Sequence, residues 1–248
     1  MEHSSDKSGG GIYIYLDKVI DDTIKLENLK FTSCRAVCGG GIFIYSEPTA
    51  NKIDIYKCKF FSNSASIESE NNDDFYGGSA IELASVKGTI IKCSFKNNVG
   101  NGVKIVNKFE DLEKSKMSIK TQLSLSITDC EFEADEESKS SILNVRGKND
   151  EIPVEVNGCV FKGNLAEGNY HFDGELHETK NEMMNLHIKS CKFPNGIKSA
   201  VNTKNSMILL IWQYYHLRMI ICKSIFIYCY FSHFIVLHLE IYILTDLN

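Results

Sequence analysis

One pattern recurs along most of this chain and limits what it can fold into: apolar-x-apolar-x-x-Cys-x-Phe. Four copies are complete, namely Ile53, Ile55, Cys58, Phe60; Leu125, Ile127, Cys130, Phe132; Val154, Val156, Cys159, Phe161; and Leu186, Ile188, Cys191, Phe193. Two are imperfect. Ile90, Cys93 and Phe95 follow Gly88 where an apolar residue is due, and Ile24, Leu26, Leu29, Phe31 place leucine in the cysteine slot. Successive slots lie 29, 35, 37, 29 and 32 residues apart, too irregular for a helical array of fixed unit and natural for coils joined by variable loops.

The spacing inside the unit has a physical reading. Alternation at period two marks a strand with one buried face, so the apolar pair is one strand and Cys-x-Phe another. Between them the phase slips by one residue, at mostly polar pairs such as Thr128-Asp129, Asn157-Gly158 and Lys189-Ser190. A bend there lets both strands point inward. A third element follows several copies: Gly9-Gly10-Gly11-Ile12-Tyr13-Ile14, Gly39-Gly40-Gly41-Ile42-Phe43-Ile44, Gly77-Gly78-Ser79-Ala80-Ile81-Glu82-Leu83 and Gly100-Asn101-Gly102-Val103-Lys104-Ile105 each join a glycine turn to an alternating strand. Three short strands per unit predict an all-β chain, a parallel β-helix of about six coils over residues 1–206.

These residues also carry a family resemblance. Phe60-Phe61-Ser62-Asn63, Phe95-Lys96-Asn97-Asn98 and Phe161-Lys162-Gly163-Asn164 match F-x-x-N, and the glycine turns approximate G-G-A-I. Their alternation over roughly residues 9 to 200 resembles the polymorphic outer membrane protein family, whose passengers are right-handed parallel β-helices displayed on cell surfaces. The resemblance implies that handedness and a surface setting. Phe31 to Cys34, Phe132 to Asp135 and Phe193 to Gly196 lack the final asparagine, and the family's membrane barrel has no counterpart in these residues.

Charge and cysteine content narrow the function classes. With 27 Lys and Arg against 32 Asp and Glu, the net charge of -5 and the lack of an arginine-rich block argue against a nucleic-acid partner. Nine cysteines contain no C-x-x-C pair. Stacked strands lie about 4.8 Å apart, whereas a disulfide wants Cβ atoms roughly 3.5–4.5 Å apart, so the cysteine column is expected to be free, buried thiols. Met1 to Gly11 carries no apolar leader core, which places the chain inside the cell unless its true start lies upstream.

Other candidates weigh less. His171, Asp173, Glu175 and His177 alternate as a metal-binding strand face would, but Asp173-Gly174 is a tight-turn signal, and a solvated loop is expected there. The aspartate pairs Asp21-Asp22 and Asp73-Asp74 sit in polar stretches and do not repeat on neighbouring units, as the acid and base of a sugar-cleaving site would. Tyr13, Tyr15, Phe43 and Tyr45 read as outward cross-strand packing, with glycan stacking as the alternative. No catalytic residue, cofactor or metal site is assigned.

Composition changes at residue 207. All 17 glycines and three prolines precede it, while residues 207–248 hold nine of the aromatics. Their longest uncharged run, Ser224 to Leu239, is 16 residues, short of the roughly twenty that span a bilayer. Three readings stand for this apolar, non-repeat tail: read-through of noncoding sequence, a membrane anchor, or a hydrophobic cap. In each case it is expected to add no coil and to be helical or irregular. The expected function is a non-enzymatic surface-type scaffold for display or adhesion, cell-surface or membrane-associated, with a surface protein or glycan as partner and loops such as Ala65 to Tyr76 as contacts. The alternatives are a carbohydrate-active β-helix enzyme and a truncated product without its own function.

Overall fold

The structure, a computed structural model, describes residues 8–47, 51–65, 78–100, 102–107, 125–134, 142–147, 154–163, 172–176, 184–194, 201–204, 206–212 and 225–229. Every regular element among them is a strand. The chain runs through β1 (Ile12–Leu16), β2 (Ile24–Glu27), β3 (Lys30–Thr32) and β4 (Arg35–Ala36), then repeats the order in β5 (Ile42–Ser46), β6 (Lys52–Tyr56), β7 (Lys59–Phe61) and β8 (Ser64–Ala65). Three-strand passes follow: β9 (Ile81–Ala84), β10 (Lys87–Ile91), β11 (Ser94–Lys96); β12 (Val103–Asn107), β13 (Leu125–Thr128), β14 (Glu131–Glu133); β15 (Leu143–Gly147), β16 (Val154–Asn157), β17 (Val160–Lys162). The described strands end with β18 (Phe172–Leu176), β19 (Met184–Lys189), β20 (Val201–Lys204), β21 (Ser206–Trp212) and β22 (Ile225–Cys229).

All strand pairs are parallel, and each joins a strand to its counterpart one pass later. The first sheet has the order β1-β5-β9-β12-β15-β18-β20, the second β2-β6-β10-β13-β16-β19-β21-β22, and the third β3-β7-β11-β14-β17; β4 and β8 form a small fourth. The register aligns the sequence repeat with itself. Ile53, Gly88, Leu125, Val154 and Leu186 are partners in turn, as are Ile55, Ile90, Ile127, Val156 and Ile188.

The phase slip between the second and third sheets is made by one left-handed residue per pass. Asn28, Lys57, Lys92, Asp129, Gly158 and Ser190 have φ of 57°, 53°, 55°, 53°, 64° and 52°. Each stands just before the cysteine slot and turns the chain so that both flanking strands bury the same side. A second set of left-handed residues, Ser33, Ser62, Asn97 and Gly163, leaves the third sheet two residues after each phenylalanine, the last three of them inside F-x-x-N.

Two glycines show why the repeat departs from its ideal. A Cβ on Gly40 would lie 2.4 Å from the carbonyl oxygens of both Ser64 and Ser79, so only glycine lets three backbones meet at that corner. Gly88, which interrupts the apolar row, has φ of 138°, and a Cβ there would stand 1.8 Å from the Ile53 carbonyl oxygen.

The core is built from columns. Phe31, Phe60, Phe95, Phe132, Phe161 and Phe193 stack with ring centroids 4.7–5.0 Å apart and planes within 10°. Burial of each ring is worth about 1.5–3 kcal/mol and each stacked pair about 0.5–1.5 kcal/mol more. Ile42, Ile44, Ile55, Ile81, Ile90 and Ile127 are fully buried beside them.

Two expectations are overturned. The segment around Asp173-Gly174 is not a loop: it is β18, paired with β15 and β20, with Phe172 fully buried. The edge of a neighbouring parallel strand outweighs a local turn signal, because pairing satisfies every backbone group along the segment. Nor is the start of the tail helical or irregular. Ser206–Trp212 pairs with β19, Leu186 opposite Ile208 and Ile188 opposite Leu210, and Ile225–Cys229 pairs with it in turn. The unbroken apolar run from Met207 to Trp212 is no barrier, since strands of parallel sheets commonly read as continuous apolar runs. No helix among the described residues is long and apolar enough to cross a membrane.

Candidate functional site

Two features concentrate chemistry: a thiol column in the core and the outer face of the first sheet. Cys58, Cys93, Cys130 and Cys159 are at most 2% exposed, Cys191 is half-buried, and all five are free. Each sulfur faces two backbone carbonyls, its own residue i−2 and one on the preceding pass. Cys130 Sγ donates to Thr128 O at 3.4 Å and Ile90 O at 3.5 Å, and Cys159 Sγ to Asn157 O and Ile127 O, both at 3.5 Å. The sulfur also accepts: Cys58 N–H points to Cys93 Sγ and Cys93 N–H to Cys130 Sγ, each at 3.4 Å.

Hydrogen bonding to adjacent thiols and then burial push the Cys58, Cys130 and Cys191 thiols up. At Cys93 and Cys159 the neighbouring thiols favour the thiolate and burial opposes it. The carbonyls decide between them, because a thiolate would face the negative ends of two C=O dipoles. All five are therefore neutral, weakly donating thiols.

The asparagine of F-x-x-N has a structural duty. Asn63, fully buried, accepts from Cys34 N–H at 3.0 Å and donates through Nδ2 to Asn98 Oδ1 at 2.9 Å, while Asn98 Nδ2 donates to Phe60 O at 3.1 Å. Asn51 plays a similar part on another corner, accepting from Ile20 N–H at 2.8 Å and donating to Lys18 O at 3.0 Å and Ser46 Oγ at 2.8 Å.

On the outer face of the first sheet the residues change character along one register row: Tyr13, Phe43, Glu82, Lys104, Asn144. Tyr13 is 55% exposed and stacks on Phe43 with centroids 5.5 Å apart; Tyr15 is 46% exposed and stacks on Tyr45 at 5.6 Å. The cross-strand packing expected of these aromatics is present, and it leaves two tyrosine faces open to solvent. The Tyr15 hydroxyl donates to Glu47, which pushes its pKa up to about 12.

Further along the row the polar residues are closed off, Glu82 completely and Lys104 and Asn144 to 2%. The side-by-side placement of Glu82 and Lys104 escaped sequence reading, although the signal was there. Superposing Ile81-Glu82-Leu83 on Val103-Lys104-Ile105 as successive strands makes them neighbours.

The remaining candidates are dispersed. Asp21 and Asp22 lie in an exposed bend, and Asp173 and Glu175 lie in β18. Asp73, Asp74, His171, His177 and the loop from residue 66 to residue 76 fall outside the described residues. Among the described residues no three His, Cys, Asp or Glu side chains converge as a metal cluster would. Comparison with protein-family models, with curated proteins and with solved structures finds no match to this chain.

Proposed function

We propose that the chain is a right-handed parallel β-helix of about six coils, akin to the polymorphic outer membrane protein passengers, and that it serves as a non-enzymatic display or adhesion scaffold at a cell surface. The observation that carries this reading is the in-register return of each strand type to its own sheet, with Phe stacked on Phe from Phe31 to Phe193. Such stacking commits the repeated residues of the unit to a rigid axis and leaves recognition to the outer faces and loops. The open tyrosine faces of Tyr13 and Tyr15 supply a flat aromatic platform suited to a sugar ring, so a glycan is the partner this surface fits.

The test is binding of neutral and acidic glycans to the immobilised chain. Tyr13→Ser with Tyr15→Ser should lower retention at least tenfold without changing the far-ultraviolet spectrum. Unchanged retention removes the platform from the proposal.

A further inference from the structure

The first described pass leaves its sheets with an open edge. β1, β2 and β3 each stand at the end of a sheet, paired on one side only. Their inward residues show the consequence: Ile12, Ile14, Ile24 and Leu26 are only partly buried, whereas their register partners one pass on, Ile42, Ile44, Ile53 and Ile55, are at most 1% exposed. A solenoid end needs a polar cap to stay soluble, and an unpaired edge is a template for another strand.

The hydrogen-bond phase fixes which groups β2 offers. Asn28 N–H donates to Tyr56 O, so the backbone groups of Ile24 and Leu26 point into the sheet and those of Lys25 and Glu27 point out. In an antiparallel pair, directly opposed residues exchange both N–H···O bonds. A second β2, turned about a two-fold axis through Leu26, sets Lys25 against the partner's Glu27 and Glu27 against the partner's Lys25. Every outward N–H and C=O of the two residues is then paired, and their exposed side chains match charge twice on the outer face. Moving the axis to Lys25 or to Glu27 sets like charges opposite each other.

Head-to-tail stacking lacks this match. The last described strand of the sheet, β22, has no charged residue to meet Lys25 or Glu27. We infer that the chain forms a two-fold, head-to-head dimer in which β2 pairs antiparallel with the β2 of a second copy about Leu26, joining two eight-stranded sheets into one. The contact is isologous, so it closes on itself and leaves no β2 edge for further growth. Such a dimer is independent of whatever Tyr13 and Tyr15 bind.

The test is sedimentation equilibrium of the full chain over a range of concentrations, where a monomer–dimer equilibrium without larger species is expected. Lys25→Glu and Glu27→Lys should each raise the dissociation constant about tenfold, because each sets like charges opposite twice, and the double exchange should return it to within about threefold of the parent. Lys25→Pro removes an outward N–H, leaves the bonds to β6 in place, and should abolish the dimer with the far-ultraviolet spectrum unchanged. The two charge reversals lie at exposed positions and carry the test if the proline variant does not fold. A monomer at every concentration up to the solubility limit, filaments, a dimer indifferent to either charge reversal, or a double exchange no tighter than the single variants would overturn the inference.

Discussion

Gly88 stands directly against Ile53: a methyl group in place of its hydrogen would lie 1.8 Å from the Ile53 carbonyl oxygen, at a φ of 138°. The contact is backbone on backbone, so no side-chain rotation relieves it. Gly88→Ala should therefore destabilise the fold by about 2–4 kcal/mol, more than an ordinary glycine substitution, through combined clash and backbone strain. Chemical denaturation of the two chains measures it, and a change under 0.5 kcal/mol would mean that β10 does not approach β6 this closely.

Lys92 presents the opposite case. It is exposed, and its φ of 55° is one that a non-glycine residue adopts at a penalty of about 1–2 kcal/mol. Lys92→Gly should stabilise the chain by about 0.5–1 kcal/mol after the entropy of the more flexible unfolded chain is deducted. A lowered denaturation midpoint would show that the corner before Cys93 is not left-handed.

Asn63 holds two passes together, and its removal strands polar groups in the core. Asn63→Ala leaves Cys34 N–H without its acceptor and Asn98 Oδ1 without the Nδ2 donor, for a loss of about 1–3 kcal/mol. Asn63→Asp, which keeps the acceptor but loses the donor, should fall between the alanine variant and the parent in the same denaturation series.

The Tyr15–Glu47 hydrogen bond sets a pH signature. The folded pKa is raised, so the bond favours the protonated phenol; its contribution is full below the ordinary tyrosine pKa of about 10 and is lost as pH rises through about 12. Following the Tyr15 ring by nuclear magnetic resonance should give a titration near 12, and Glu47→Gln should bring it down toward 10. A midpoint near 10 in the parent would show that the bond is not populated.

Much of this architecture is legible in the sequence, and the failures have physical causes. The cysteine and phenylalanine columns follow from period-two alternation, and the corners at Thr128-Asp129, Asn157-Gly158 and Lys189-Ser190 from the phase slip. The left-handed conformation of Lys57, Lys92 and Ser190 is not legible, because neither lysine nor serine favours it; the sheets on either side impose it. Gly88 reads as a flaw in the repeat until the proximity of Ile53 gives it a reason. β18 and β21 are missed because a local turn signal and a lost alternation describe the segment alone, whereas a parallel edge supplies partners from elsewhere. Glu82 and Lys104 are too ordinary singly to attract notice and become a pair only once the strands are stacked.

Stacking itself is most directly tested by site-resolved alkylation of the thiols, read by mass spectrometry under native and denaturing conditions. Strands that return in register put Cys58, Cys93, Cys130 and Cys159 in one buried column of free thiols. They should resist iodoacetamide in the native chain at least a hundredfold better than in denaturant, where all four should label fully and none should be recovered as a disulfide. Native labelling at the denatured rate, or disulfides among these four, would contradict the register on which the account rests.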